Sequence, residues 1–127
     1  MFKPVQTYSG FSINDLATAK QFYAGVLGLQ VVEEGPGMRI QHVGGGSVIA
    51  YVKDDHEPAS YTVMNLEVTN IDEAVNSLSE AGIQFERYAG MPQDKLGVMR
   101  GLSSGDGPDI AWFKDPSGNI LSVLQER

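Results

Sequence analysis

The residue best placed for acid–base chemistry in this sequence is Glu67. It ends a predicted strand in which Asn65 and Glu67 alternate with the apolar Met64 and Leu66. The apolar set should pack under a helix, which leaves Asn65 and Glu67 on the side facing a ligand cleft. A carboxylate in an apolar cleft has its pKa raised toward neutrality, so Glu67 is a candidate general base. The alternative is a solvated carboxylate at a strand end.

Four further side chains are candidate ligand contacts. Tyr8 either donates a hydrogen bond, as the acid partner of Glu67, or fills the cleft with its ring. Trp112, the single tryptophan, either stacks on a planar ligand or belongs to the core. Arg100, in a long loop, either holds an anionic group or is solvated. His42 is either a surface residue at a strand end or a polar group lining the cleft.

The sequence lacks the residues that phosphate binding by a glycine-rich loop, nucleophilic catalysis and metal binding need. The three glycines at 44–46 lie between two predicted strands, with no following Lys-Ser/Thr pair or helix, so they do not form a phosphate loop. There is no cysteine, and Ser103 and Ser104 have no histidine at a useful spacing. The two histidines, His42 and His56, lack a ligand partner in a regular element, so we expect neither a metal nor another cofactor.

The charge composition limits the possible partners. Nine basic and sixteen acidic side chains give a net charge of −7, which argues against nucleic acids and anionic membranes and is compatible with a cationic or neutral ligand. No run of apolar residues resembles a signal peptide or a transmembrane helix. A cytoplasmic protein of one domain is therefore expected.

The elements that must position these residues occur twice. One helical pattern opens at 13–19 and ends at Gly28, and a second opens at 68–74 and ends at Gly82. Each half closes on a similar strand, at 46–52 and 118–124. Such a duplication predicts two copies of one supersecondary unit. Within a single domain of residues 1–127, module one covers about 5–53, a linker about 54–60 and module two about 61–127.

The predicted order of elements is βαβββ in each module. The first module has strands at 7–13, 29–33, 38–43 and 47–53 around a helix that is capped by Asn14 or Asp15. The second has strands from 61 or 62 to 68 and at 83–88, 109–114 and 118–124, with a helix that starts after Asn70. The remaining 89–108 loop, with a short extended piece at 98–100, is either a lid or a tolerated insertion.

Two segments resemble a known family. The first is residues 22–29, Phe-Tyr-Ala-Gly-Val-Leu-Gly-Leu, preceded by Asn14-Asp15-Leu16; the second is the turn at 113–119, Phe-Lys-Asp-Pro-Ser-Gly-Asn. Both are similar to segments of the vicinal oxygen chelate superfamily, which includes glyoxalase I, bleomycin resistance proteins and extradiol dioxygenases. The resemblance implies an α+β fold whose two βαβββ modules form a curled mixed sheet with a concave cup for the ligand.

The same resemblance locates the positions at which metal-dependent members hold their ion. They fall on Tyr8, Ala50, Val63 and Ser122, none of which replaces an imidazole or a carboxylate. These positions are expected to line the cup as ligand contacts. The resemblance thus implies a metal-independent protein that binds a small organic molecule, as bleomycin resistance proteins do, and that forms a homodimer. The alternatives are a glyoxalase-, isomerase- or dioxygenase-like enzyme using Glu67 and Tyr8, or a regulatory subunit without chemistry.

Overall fold

The computed structural model describes all 127 residues and divides the chain into two compact units, Met1–Pro58 and Ala59–Arg127. Each unit contains one open, four-stranded mixed sheet and helical segments, so the α+β class and the twofold βαβββ plan expected from the sequence are confirmed. No helix combines the length and the apolar character that crossing a bilayer requires.

The first unit is built from four strands and one helix with two geometries. Its elements are β1 (Ser9–Ile13), α1 (Leu16–Lys20), a π-helical continuation (Gln21–Val26), β2 (Val31–Glu34), β3 (Gly37–Gln41) and β4 (Ser47–Val52). The sheet order is β1-β4-β3-β2, with β1 parallel to β4. The Asp15 carboxylate caps the helix by accepting from the Thr18 amide at 3.3 Å.

One face of the first sheet forms a core with the helix. Its buried side chains are Phe11, Ile13, Met38, Ile40, Val48 and Ala50 from the sheet, with Ala19, Phe22 and Tyr23 from the helix. Tyr23 joins the two layers, since its ring centroid lies 5.2 Å from that of Phe22 and 6.0 Å from that of Phe11. The opposite face carries the alternate residues of each strand.

The second unit repeats this plan, with an additional short helix between its second and third strands. Its elements are β5 (Thr62–Glu67), α2 (Ile71–Glu80), β6 (Met99–Arg100), α3 (Gly101–Ser104), β7 (Asp109–Lys114) and β8 (Ile120–Gln125). The sheet order is β5-β8-β7-β6, with β5 parallel to β8. The Asn70 side chain caps α2 by accepting from the Glu73 amide at 3.1 Å.

The core of the second unit lies between α2 and one face of its sheet. Leu121 and Val123 are on this face; both are buried, and they pair with Met64 and Leu66 of β5. Ile71 and Val75 are the buried residues of α2. The turn into β8 is held by the buried Asp115, whose Oδ1 accepts from the backbone amides of Ser117 and Asn119, each at 2.9 Å.

Two predicted elements differ from the structure. Residues 83–88 are not a strand, because the backbone makes one hydrogen bond toward β7, from the Glu86 amide to the Trp112 carbonyl at 2.7 Å, and no ladder. The edge strand at this position is β6, within the segment predicted as a loop with a short extended piece. The first helix is not uniform, since Leu27 donates to the carbonyl of Phe22, five residues back.

Candidate ligand-binding site

The helix-free face of the second sheet contains most of the residues that the sequence analysis selected. Side chains of residues paired across neighbouring strands point to the same side. Asn65 pairs with Ser122, which pairs with Trp112, and Glu67 pairs with Leu124, which pairs with Ile110. We call these two rows the open face of the second sheet: Asn65, Ser122, Trp112, Glu67, Leu124 and Ile110.

The central row presents an oriented amide. Ser122 is fully buried, and its hydroxyl donates to the Oδ1 atom of the exposed Asn65. Because Oδ1 is the acceptor, both N–H groups of the Asn65 amide remain without a protein partner. Ser122 therefore fixes the orientation of Asn65 and leaves a double donor facing solvent.

An aromatic pair lies at the other end of this row. The rings of Trp112 and Tyr88 meet edge-on, with centroids 5.6 Å apart and an interplanar angle of 70°. The Tyr88 hydroxyl is buried without a hydrogen-bond partner, and burial, followed by the nearby Glu86 carboxylate, raises the pKa of Tyr88. The sequence analysis missed Tyr88, because its contact with Trp112 joins residues 24 positions apart and depends on the folded chain.

Glu67 lies on the open face but is exposed to solvent. Its carboxylate makes no hydrogen bond or ion pair with the protein. The burial that would make it a general base is therefore missing, and this placement favours the alternative of a solvated carboxylate. Catalysis by Glu67 remains a prediction, as does that by Tyr8.

Arg100 lies on the opposite face of the sheet, where it joins three carboxylates. Its Nη2 is 2.6 Å from Oδ1 of Asp72, its Nε is 2.9 Å from Oδ2 of Asp94, and its Nη1 is 3.7 Å from Oδ2 of Asp109. Hydrogen bonds to Asp72 and then Asp94 raise the pKa of Arg100. The guanidinium thus connects the 94–100 segment to the first turn of α2, and its placement gives no support to the predicted contact with an anionic ligand.

Tyr8 belongs to the first unit, where it lies against a cation. The ring is 56% exposed, and Cζ of Arg39 lies 4.8 Å from its centroid. Arg39 also donates from Nε to Glu34, at 2.6 Å, and from Nη1 to Ser47, also at 2.6 Å. The hydrogen bond with Glu34 raises the pKa of Arg39. Tyr8 is thus accessible to a ligand, but one face of its ring is already in contact with the Arg39 guanidinium.

Ala50 corrects the predicted set of ligand contacts. It is fully buried in the core of the first unit, where it pairs with Phe11 and Met38, so a ligand on the open side of the sheet does not reach its side chain. The metal-ligand positions of the family were located by counting residues along the sequence. This count placed Ala50 on the ligand side of β4, whereas its side chain lies on the core side. Its neighbour Tyr51, which is 38% exposed, is the β4 residue on the solvent side.

Val63 and the two histidines occupy irregular backbone. The β5–β8 ladder shifts register between Thr62 and Met64, so Val63 forms a bulge and has no ladder partner. His42 is an exposed residue of the β3–β4 turn, where its amide donates to the Gly46 carbonyl at 3.0 Å. His56 lies in the linker, with its Nδ1 2.6 Å from the Ser12 hydroxyl.

The residues do not fit a metal ion of the kind that the resemblance implies. The four expected positions hold a phenol, a buried methyl group, a bulged valine and a serine hydroxyl that is engaged with Asn65. No three His, Cys, Asp or Glu side chains are grouped so that they could hold a metal. Zinc and iron sites need imidazole, thiolate or carboxylate donors, and these four positions supply none of them.

Comparisons with known proteins place this geometry in context. The model of the Glyoxalase/Bleomycin resistance protein/Dioxygenase superfamily matches residues 7–123. No curated protein matches the chain.

Solved structures share the fold over nearly their whole lengths. The antibiotic binding protein TnmS3 from Streptomyces sp. CB03234 is 20% identical, with a TM-score of 0.66 over 99% of this chain and 100% of that one. A superfamily member from Sphaerobacter thermophilus DSM 20745 is 22% identical, with a TM-score of 0.66 over 96% and 98%. The genomically encoded fosfomycin resistance protein FosX from Listeria monocytogenes is 11% identical, with a TM-score of 0.68 over 99% and 96%.

Proposed function

We propose that this chain, which belongs to the Glyoxalase/Bleomycin resistance protein/Dioxygenase superfamily, binds a small organic molecule without a metal ion. The ligand is held on the helix-free face of the second sheet, which is the side that faces the cup in the fold that the resemblance implies. The observation that carries the proposal is the row of Asn65, Ser122 and Trp112. It combines a free, oriented hydrogen-bond donor with an aromatic surface, and ligand sites are built from such mixtures of apolar area and few polar groups.

The chemistry of the site supports binding more than turnover. Glu67 is solvated, and Ser122 is bonded to an amide oxygen and has no base beside it. TnmS3, a protein of the same fold, is described as an antibiotic binding protein, which makes drug-like organic molecules the first class to test.

The first experiment measures the metal content and the ligand response of the same preparation. Elemental mass spectrometry on untagged protein purified without chelators should find no stoichiometric transition metal. A thermal-shift screen of small organic molecules, followed by Trp112 fluorescence, should then find ligands that change both signals. Stoichiometric zinc, nickel, iron or manganese, or a screen in which no hit perturbs Trp112, would overturn the proposal.

A variant pair tests the role of the amide. Asn65→Ala removes both free donors, and a hydrogen bond to ligand is worth about 1 kcal/mol net, so the Kd of a hit should rise about fivefold. Asn76→Ala, the same change at an exposed position of α2, is the matched control and should leave Kd unchanged. Equal Kd values for the two variants would remove Asn65 from the site.

A homodimer and a cytoplasmic location are also part of this proposal. Support for the dimer comes from exposed apolar side chains such as Val32, on the edge strand β2, and Tyr61, which are 53% and 68% exposed. Light scattering after size exclusion should give twice the mass of 13.7 kDa, and a single-chain mass would contradict it.

A further inference from the structure

From the spacing and charge of the open face of the second sheet, we infer that its ligand is a planar aromatic cation of two or three fused rings. The inference rests on the proposed function and specifies the chemistry of the ligand. Three features of the open face point to this ligand. They are the distance between Trp112 and Asn65, the donor groups of the Asn65 amide, and the unpaired charge of Glu67.

The first feature sets the length of the ligand. Trp112 and Asn65 lie two strands apart, with Ser122 between them. Neighbouring strands are about 4.8 Å apart, so the two side chains are separated by roughly 10 Å across the sheet. A single ring stacked on the indole does not reach the amide, whereas a molecule of two or three fused rings does. The adjacent Ile110 is partly exposed and supplies apolar surface beside Trp112, whereas Leu124 is buried.

The second feature sets the polarity at the far end. With its Oδ1 occupied by the Ser122 hydroxyl, Asn65 offers only donors. The ligand therefore carries an acceptor, a carbonyl oxygen or a ring nitrogen, at the end away from Trp112.

The third feature sets the sign of the charge. Glu67 lies two residues beyond Asn65 on β5, roughly 7 Å along the strand, on the same face. Glu67 has no cationic partner. Lys114 lies on the same face, two residues beyond Trp112 on β7, but its ammonium is 3.4 Å from the Glu86 carboxylate, which balances its charge. The uncompensated charge of the open face is therefore negative, and an amine or ring cation complements it.

Three probes of the same size and different charge test the inference on the full-length protein. Aminomethylanthraquinone is cationic at neutral pH, hydroxymethylanthraquinone is neutral and anthraquinone-2-sulfonate is anionic, and all three carry the carbonyl acceptor. Isothermal titration at low salt should give the lowest Kd for aminomethylanthraquinone and the highest for the sulfonate. Glu67→Gln should raise the Kd of aminomethylanthraquinone about two- to fivefold, the range of an exposed ion pair, and added salt should produce a similar loss.

Glu80→Gln is the matched control, because it makes the same change in net charge at an exposed position at the end of α2. An effect of Glu67→Gln that exceeds that of Glu80→Gln supports the inference. Equal effects, or a Kd for hydroxymethylanthraquinone as low as that for aminomethylanthraquinone, would overturn the cationic class and leave the proposed function standing. If no three-ring probe binds, the inference is wrong, and the broader ligand screen decides the proposed function separately.

Discussion

Replacing Arg100 with methionine should lower the free energy of unfolding by about 2 kcal/mol. Arg100 contacts Asp72, Asp94 and Asp109, and its side chain is only 33% exposed. A single exposed ion pair contributes about 0–1 kcal/mol, but removing one member of a partly buried group leaves its partners unpaired, at about 1–3 kcal/mol. Methionine retains the apolar stem, so the loss reports mainly on the guanidinium.

Urea unfolding at pH 7 measures this loss. With a urea slope of about 1.5–2 kcal/mol per M, the midpoint should fall by about 1 M. Lys20→Met is the control, because Lys20 and Glu33 form a lone ion pair of 2.9 Å with side chains 45% and 55% exposed. Its midpoint should not change measurably.

The pH dependence provides a second check on the Arg100 network. Burial alone would raise the pKa of Asp94, but hydrogen bonds from Arg100 and from the amides of Val98 and Leu96 outweigh it and lower this pKa below its usual value. The stability from Asp94 is therefore fully present above the unfolded pKa of about 3.9, and it is lost as the pH falls through the folded value. The difference between wild type and Arg100→Met should shrink between pH 5 and pH 3. A midpoint shift no larger than that of Lys20→Met, or a constant difference over this range, would refute the reasoning.

Two further substitutions test the second unit. Tyr88→Phe removes a buried hydroxyl without a partner, so the free energy of unfolding measured in urea should stay constant or rise. A loss above about 1 kcal/mol would contradict this and mean that bound water satisfies the hydroxyl. Asp115→Ala should cost about 2–3 kcal/mol, because the amides of Ser117 and Asn119 lose a common buried acceptor; a loss below about 0.5 kcal/mol in thermal or urea unfolding would contradict that role.

The duplicated fold could be predicted because its signals are local. The helix caps at Asp15 and Asn70 and the alternation in β8 depend on neighbours a few residues away. The missed strand at 83–88 had a suitable composition, but a strand exists only where a neighbour completes a ladder, and β6 occupies that edge instead. The π-helical turn at Gln21–Val26 likewise has no simple local signature in the sequence.

The site was predicted where side-chain alternation within a strand was sufficient. Asn65 and Ser122 were expected on one face and are paired across it. The partners of Arg100 could not be predicted, because Asp72 lies 28 residues away in the sequence. The face that β4 gives to Ala50 could not be found by counting residues, because it depends on the pairing of β4 with β3. Tyr88 could not be found, since a hydroxyl without a partner is a property of the packed chain.

The bulge at Val63 has a consequence for how this strand tolerates changes in chain length. In a regular strand, the insertion or deletion of one residue moves every later side chain to the opposite face of the sheet. Here the extra residue is absorbed between Thr62 and Met64, before the positions of Asn65 and Glu67. The bulge therefore keeps Asn65 and Glu67 on the open face, although the residues before it are one position out of register with those after it.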